Sequence, residues 1–322
     1  MNEPRLPRER YQLLGLLGTG GMASVWRVLD VRLNVERAVK VLPPGVLHEA
    51  QLAARLAHPH VISVHDVLDL LDGTGIVMEL AQGSLEDRVV TDGPLPVRAA
   101  ARVMADVCDA LDAAHALGIV HRDVKPANLL VCEGGAGGPR VKLADFGIAG
   151  LLDADAPAES TRALLGSLPY MAPEQRRGQA EPASDVYGAA VTLAWLVTGA
   201  LPGDLYVDEV RSGLRARLDA EDGDALVALL ARAGAHDPAA RPDAATLRDA
   251  LRELAGDAVV RIGPLTRGPA PQARSGRWVR VGDGEFVGPA GARAGAWSAR
   301  AAWGVAVLAL GVGVGGIGAN FP

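Results

Sequence analysis

The stretch that decides the fold is VHRDVKPANLLV, residues 120–131. It places Asp123, Lys125 and Asn128 within six residues, directly before the β-like run LLVC. Lysine is scarce in this chain: of 32 Lys plus Arg, only Lys40, Lys125 and Lys142 are Lys. Ammonium and guanidinium are not interchangeable, so so strong an Arg bias leaves Lys where Arg will not serve, or by chance. At this spacing an Asp can orient a hydroxyl and accept its proton. Lys125 can neutralise charge on a transferring phosphoryl group as a compact cation. Asn128 can offer a neutral oxygen to Mg²⁺.

Working outward, KLADFGIAG begins at Lys142 and supplies Asp145 as a second candidate Mg²⁺ ligand. YMAPE (Tyr170 to Glu174) closes the interval that Asp145 opens. Upstream, LGTGGMASV spans Leu17 to Val25 between two β-like runs. Gly18 and Gly20 let a backbone fold over phosphates with its N–H groups exposed, or simply turn a hairpin. No G-K-[ST] follows, so it is not a Walker A loop. RAVKV puts Lys40 in a strand between Val39 and Val41. It reads as a solvated edge residue or, with Glu49 of the next helix as partner, as an ammonium held at a diphosphate. Lys142 reads as a solvated strand residue.

The chain has 322 residues and 49% hydrophobic content, enough for two lobes or a domain with appendages. Its net charge of −6 argues against a general nucleic-acid binder. From residue 262 six Arg face only Asp283 and Glu285, a net +4, leaving −10 on the first 261 residues. Cys108 and Cys132 are too few for a disulfide framework and read as buried free thiols in a reducing cytosol. The N-terminal MNEPRLPRERYQLL has no apolar run resembling a signal peptide.

Short β-like runs punctuated by Gly and Pro fill residues 11–81, interrupted by one helical segment, HEAQLAARLA. From about residue 96 the pattern is helical. PVRAAARVMADVCDALDAAHALG carries Pro96 near its start and Gly118 just past its end. SDVYGAAVTLAWLVTG, GDALVALLARAGA and DAATLRDALRELA follow. The expected domains are a tail at 1–10, a small β-rich lobe at 11–81, a larger helical lobe at 82–256 and a Pro/Gly/Arg-rich linker at 257–300. A small hairpin is expected at 277–288.

Taken in order, these motifs resemble the signature set of protein kinases, most nearly the bacterial, eukaryotic-like (Hanks-type) Ser/Thr kinases. The resemblance covers about residues 11–254. It implies an α+β bilobal kinase fold with ATP and Mg²⁺ as cofactors (Mn²⁺ the alternative ion) and protein Ser/Thr hydroxyls as acceptors. It implies that Asp123 is the base and that Lys125 assists, as in Ser/Thr rather than Tyr kinases. Lys40 would contact the α- and β-phosphates and pair with Glu49, and Asn128 and Asp145 would hold Mg²⁺. Leu17, Gly18, Thr19, Gly20 and Gly21 would form the loop over the nucleotide. Val25 and Ala38 would roof the adenine and Leu130 would floor it. Met78 would be the gatekeeper before a hinge at Glu79, Leu80 and Ala81. Asp185 would brace the catalytic loop, and Arg241 would pair with Glu174. Arg122 before Asp123 implies activation-loop phosphorylation, with Thr161 the expected autophosphorylation site and Ser160 the second.

The chain departs from the pattern at Ala23, in place of the third loop glycine, and at Ser167, where Thr is usual. Glu49 follows Lys40 by only nine positions, so the helix carrying Glu49 is expected to be cut at its start. The end, AAWGVAVLALGVGVGGIGA (301–319), holds 19 uncharged residues. As a helix it would run about 28 Å, close to the roughly 30 Å of a hydrocarbon core. It is expected to be a single span, despite six glycines, with the kinase on the cytoplasmic side behind Arg293 and Arg300. A cytoplasmic protein is the alternative. The basic linker could lie on anionic lipid, and Gly311-x-x-x-Gly315 is a candidate homodimer contact. The competing functions are a pseudokinase scaffold that binds nucleotide without transfer, and a small-molecule phosphotransferase.

Overall fold

The computed structural model describes residues 3–7, 9–19, 23–44, 55–71, 73–134, 139–146, 166–216, 218 and 220–260, with three short strand pairs beyond them. Two compact units are present, residues 1–267 and 268–322.

The first unit opens with an antiparallel sheet of order β1-β2-β3-β5-β4. Its strands are β1 Tyr11–Thr19, β2 Ser24–Asp30, β3 Val35–Leu42, β4 Val64–Leu70 and β5 Gly73–Glu79. Successive side chains of a strand point to opposite faces, so parity sorts the residues. Tyr11, Val28, Val39 and Val77 pack with Leu6 on one face. Ala38, Leu42, Ile76 and Met78 pack on the other with Cys132 and Ala144. Lys40 lies opposite Val25 and Ile76 in register and so shares this second face. Gly73 (φ +150°) lies where a Cβ would run into the Leu42 carbonyl, so only glycine fits that start of β5.

β6 (Gly83–Ser84) leads into α1 (Leu85–Asp92). Ser84 Oγ accepts the Asp87 N–H at 3.1 Å while an Asp87 carboxylate oxygen accepts the Ser84 N–H at 3.0 Å, a closed capping box. α2 (Val97–Ala116) buries Ala100, Val103, Met104, Val107, Cys108 and Leu111. β7 (Leu129–Cys132) and β8 (Arg140–Leu143) pair antiparallel, with β6 on β7's other edge. α3 (Pro182–Thr198) is apolar nearly all round and buried from Ser184 to Val197, so it is the axis of the helical lobe. It ends at Gly199 in the left-handed region, φ +66°. α4 (Asp208–Arg215), α5 (Ala220–Ala233) and α6 (Ala244–Ala255) complete the unit. Asp243 caps α6 by accepting the Thr246 N–H at 2.7 Å.

The expected strands and the four long helical patterns each appear within a few residues of their predicted places. α1 and α4 were not anticipated. The helix expected over HEAQLAARLA lies largely outside the described residues. In the second unit β9 (Val279–Arg280), β10 (Phe286–Val287) and β11 (Arg293–Ala294) form an antiparallel sheet of order β11-β10-β9. Among the described residues no helix is long and apolar enough to cross a membrane. The 301–319 segment lies outside them.

One buried ion pair ties the chain after the catalytic stretch to the end of the helical lobe. Arg241 Nη1 and Nη2 donate to the Glu174 carboxylate at 2.7 and 2.9 Å, and Ser184 Oγ donates to the same group. Arg241 also donates to the carbonyls of Ala183, Ala235 and His236, so its fork is fully used. Burial pushes the Glu174 carboxyl up, but the Arg241 and Ser184 hydrogen bonds outweigh it and hold the group below the ordinary range. Removing one partner of such a pair leaves an uncompensated buried charge, about 3–5 kcal/mol. Arg241→Ala is therefore expected to lower Tm in calorimetry by roughly 6–20 °C. Glu174's folded pKa is depressed, so its contribution is full above its unfolded pKa and lost as pH falls through its folded value. Glu174→Gln should flatten that acid limb.

Candidate functional site

The site forms where the cleft face of the first sheet meets the loop between α2 and β7. Lys40 is buried to 8% exposure, and its Nζ lies 2.7 Å from Asp145 Oδ1. Asp145 holds φ +70°, a left-handed conformation rare outside glycine and commonest where a site fixes it. Burial pushes its carboxyl up. The Lys40 ammonium, with His121 and Lys125 more distant, outweighs that and holds the group below the usual carboxylate range.

The loop itself is held from below by α3. Asp185, 1% exposed, accepts the His121 and Arg122 backbone N–H groups at 2.8 and 2.7 Å and contacts His115 Nε2 at 2.8 Å. The Asp123 N–H donates to His121 Nδ1 at 3.2 Å. That fixes the tautomer, so His121 Nε2–H donates to the Ala144 carbonyl at 2.9 Å. The ring meets Phe146 edge-on, centroids 4.5 Å apart. Arg122 sits at φ +68°, with its carbonyl accepting from Gln175 Nε2. The loop that carries Asp123 and the segment that carries Asp145 are thus tied through one imidazole.

Asp123 has two unlike oxygens. Oδ2 accepts from Asn128 Nδ2 at 3.0 Å and from Lys125 Nζ at 2.8 Å. Oδ1 is buried with no hydrogen-bond partner. A carboxylate with one oxygen fixed and the other unpartnered keeps one acceptor for a hydroxyl. Lys125 Nζ also donates to Ser167 Oγ at 2.8 Å, and Asn128 Nδ2 to the Asp123 carbonyl at 2.8 Å. Asp145 and Asn128 are hard oxygen donors on adjacent backbone, since the Ala144 N–H donates to the Asn128 carbonyl at 2.9 Å. Mg²⁺ is commonly held by one or two such groups plus phosphate and water, and these residues fit it.

Above the loop, Ala38, Met78, Cys132 and Ala144 form a buried apolar cluster lined by Leu17, Val25, Ala81 and Leu130. A flat apolar ligand could lie there. Gly18 and Thr19 end β1 opposite Val25 and Ser24.

A protein kinase domain model matches residues 11–220. The chain belongs to the protein kinase family. It is 39% identical over 218 residues to serine/threonine-protein kinase PknB of Mycobacterium leprae, covering 63% of this chain and 34% of that protein. It is 40% identical over 219 residues to PknB of Mycolicibacterium smegmatis, with the same coverage. The chain thus spans about a third of the length of these curated relatives. Among solved structures, Rad53 residues 1–466 in complex with AMP-PNP superposes with a TM-score of 0.63 at 22% identity, over 77% of this chain and 66% of that one. That likeness shows the fold, a bilobal kinase with a β-rich first lobe and a helical second lobe.

In this chain the structure brings Lys40, Asp123, Lys125, Asn128 and Asp145 to one cleft, beneath the cluster of Leu17, Val25, Ala38, Met78, Ala81 and Leu130. Gly20, Gly21, Glu49, Ser160 and Thr161 lie outside the described residues. Cys108 and Cys132 are buried free thiols, as expected. One expectation is corrected: Lys142 is not a solvated strand residue. Its side chain is 13% exposed and its Nζ lies 2.6 Å from Glu79 Oε2. Glu79 therefore turns its side chain to an ion pair in the second lobe. Two further contributors were missed, Ser167 as acceptor for Lys125 and Gln175 as donor to Arg122. Both contacts span more than forty residues, beyond the reach of local pattern.

Asp185→Ala would leave the His121 and Arg122 N–H groups buried without an acceptor. Each such loss costs about 1–3 kcal/mol, so amide exchange at these two positions should rise about tenfold or more. Exchange mass spectrometry of peptides covering 119–124 would read it; unchanged protection there would show the loop is held by other means.

Proposed function

We propose that the chain is a serine/threonine protein kinase that moves the ATP γ-phosphoryl group to hydroxyls of protein substrates. The observation that carries this reading is the divided Asp123 carboxylate, one oxygen fixed by Lys125 and Asn128 and the other buried and unpartnered. Oδ1 orients the acceptor hydroxyl and takes its proton as the phosphoryl group departs. Lys125 stays beside the transferring group and offsets its charge. Lys40 holds the phosphates of the nucleotide, with Glu49 as its partner. Mg²⁺, held by Asn128 and Asp145, would neutralise phosphate charge when bound. The apolar cluster around Ala38, Met78 and Leu130 receives the adenine. Little covalent chemistry is asked of the protein; placement and charge neutralisation supply the rate.

Regulation by activation-loop phosphorylation belongs to the same reading. Arg122 Nε is buried without a hydrogen-bond partner, a cation suited to a phosphate on Thr161, or on Ser160. The apolar 301–319 segment behind a basic linker supports a membrane-tethered kinase with its catalytic unit in the cytoplasm. A nucleotide-binding scaffold without transfer is the alternative, favoured only by the nine-residue Lys40-to-Glu49 spacing.

The test is intact-mass and phosphopeptide analysis after incubation with Mg²⁺ and ATP, with Asp123→Asn beside the parent. Phosphate on the parent, on Thr161 first, and none on the variant is expected. ATP binding without phosphate on either would leave the scaffold. Lys40→Met should reduce transfer by roughly 10²-fold or more, since a charge that positions the phosphates is lost. Flotation with anionic vesicles should carry the full chain but not a chain ending at residue 300; equal flotation of both would remove the anchor.

A further inference from the structure

Catalysis accounts for two of the three lysines and leaves Lys142. It lies on β8 opposite Leu130, three residues before Asp145. Its partner Glu79 is the last residue of β5, directly after Met78. The pair, 2.6 Å long with side chains 13% and 21% exposed, runs from the end of the first lobe's sheet to the second lobe's hairpin. It is not an isolated surface contact. The Glu79 carboxylate also lies near the Cys132 thiol, whose pKa is pushed up to about 12 chiefly by burial, with the Glu79 charge adding to it. The Glu79 N–H donates to the Ser63 carbonyl at 2.9 Å, and the Gln82 N–H to the Val131 carbonyl at 2.8 Å. Arg37 lies opposite Glu79 in register, and His65 is within the field of Arg37, Glu79 and Lys142.

The residues after Lys142 are equally committed. The Leu143 N–H donates to the His60 carbonyl at 2.8 Å and the Leu143 carbonyl accepts the Ile62 N–H at 2.9 Å. Ala144 bonds to Asn128 through its N–H and to His121 through its carbonyl. Three consecutive residues thus grip the connection between lobes, the 60–62 segment and the catalytic loop, and the next residue is Asp145. A displacement of Glu79 therefore has a short, fully bonded route to the residue that meets Lys40.

We propose that Lys142 is a positioning residue, whose ion pair with Glu79 fixes the connection between the lobes relative to Asp145 and so sets nucleotide affinity. This rests on the kinase reading. The Leu130 floor and the 79–82 backbone bracket the apolar cluster, and the pair holds one to the other. Loss of the pair lets the bracket open before nucleotide enters, which weakens binding without altering the groups that act in transfer.

The experiment uses the full chain as Lys142→Met, Lys142→Arg, Glu79→Gln and the double variant Glu79→Gln/Lys142→Met. In the unliganded protein, Lys142→Met should speed amide exchange at Glu79 and Gln82 about tenfold, a change confined to local opening. In steady-state kinetics it should raise KM for ATP about fivefold with kcat within about twofold, the pattern of lost ground-state binding. Lys142→Arg should restore both readings, and the double variant should add nothing to Glu79→Gln. A lower Tm with unchanged KM and unchanged exchange would overturn the proposal, as would Lys142→Arg matching Lys142→Met. The exchange reading needs no nucleotide. A parent that transfers no phosphoryl group would thus sink the kinase reading, while Glu79 and Gln82 exchange would still decide the coupling.

Discussion

Everything at the cleft depends on one buried carboxylate. Asp185 projects from the most apolar of the described helices and spends both oxygens on the loop between α2 and β7. A carboxylate this deep is costly unless every lone pair finds a donor. Here the donors are backbone N–H groups of the loop, with His115 beside them. The requirement runs both ways. The helix needs the loop to satisfy its acid, and the loop needs the acid to hold Arg122 at a positive φ it would not otherwise keep. Folding of the helical lobe is therefore also assembly of the site.

From that anchor the order spreads through short polar links rather than through apolar packing alone. The His121 ring passes it to Ala144, Asn128 passes it to Asp123, and Lys40 receives Asp145 from the sheet above. Each link has a set direction of donation, so the geometry has few alternatives of equal energy. The apolar cluster around Met78 and Ala38 has the opposite character. It fixes no direction and only requires a shape, which suits a site that must admit and release a flat ligand. The two kinds of order meet at β8.

Much of this was legible locally. The spacing of Asp123, Lys125 and Asn128 marks the loop in the sequence alone, whereas the face that Lys40 shares with Ala38 follows from the observed register of β3. α1 was passed over because it is short and polar, although Ser84 and Asp87 stand at the spacing of a capping box. Lys142 was misread for a different reason. Between Val141 and Leu143 a lysine alternates outward, and alternation alone cannot say that an acid 63 residues away closes over it. Ser167 and Gln175 were hidden in the same way. Sequence periodicity reports which face a residue takes, while the partner on that face is decided by how the chain returns to it. The motif residues escaped this limit because chemistry, not periodicity, marked them.

The two cysteines carry a further consequence. Cys108 lies at 0% exposure inside α2 and Cys132 at 0% on β7 within the apolar cluster, and burial pushes both thiols up to about 12. Neither is a thiolate at neutral pH, so in the folded chain both are inert to alkylation and peroxide. Each becomes reactive only when its surroundings open. The protein thus contains two silent clocks, one in the body of the helical lobe and one within the apolar cluster. Their labelling rates would time the breathing of those two regions separately, with no foreign probe attached.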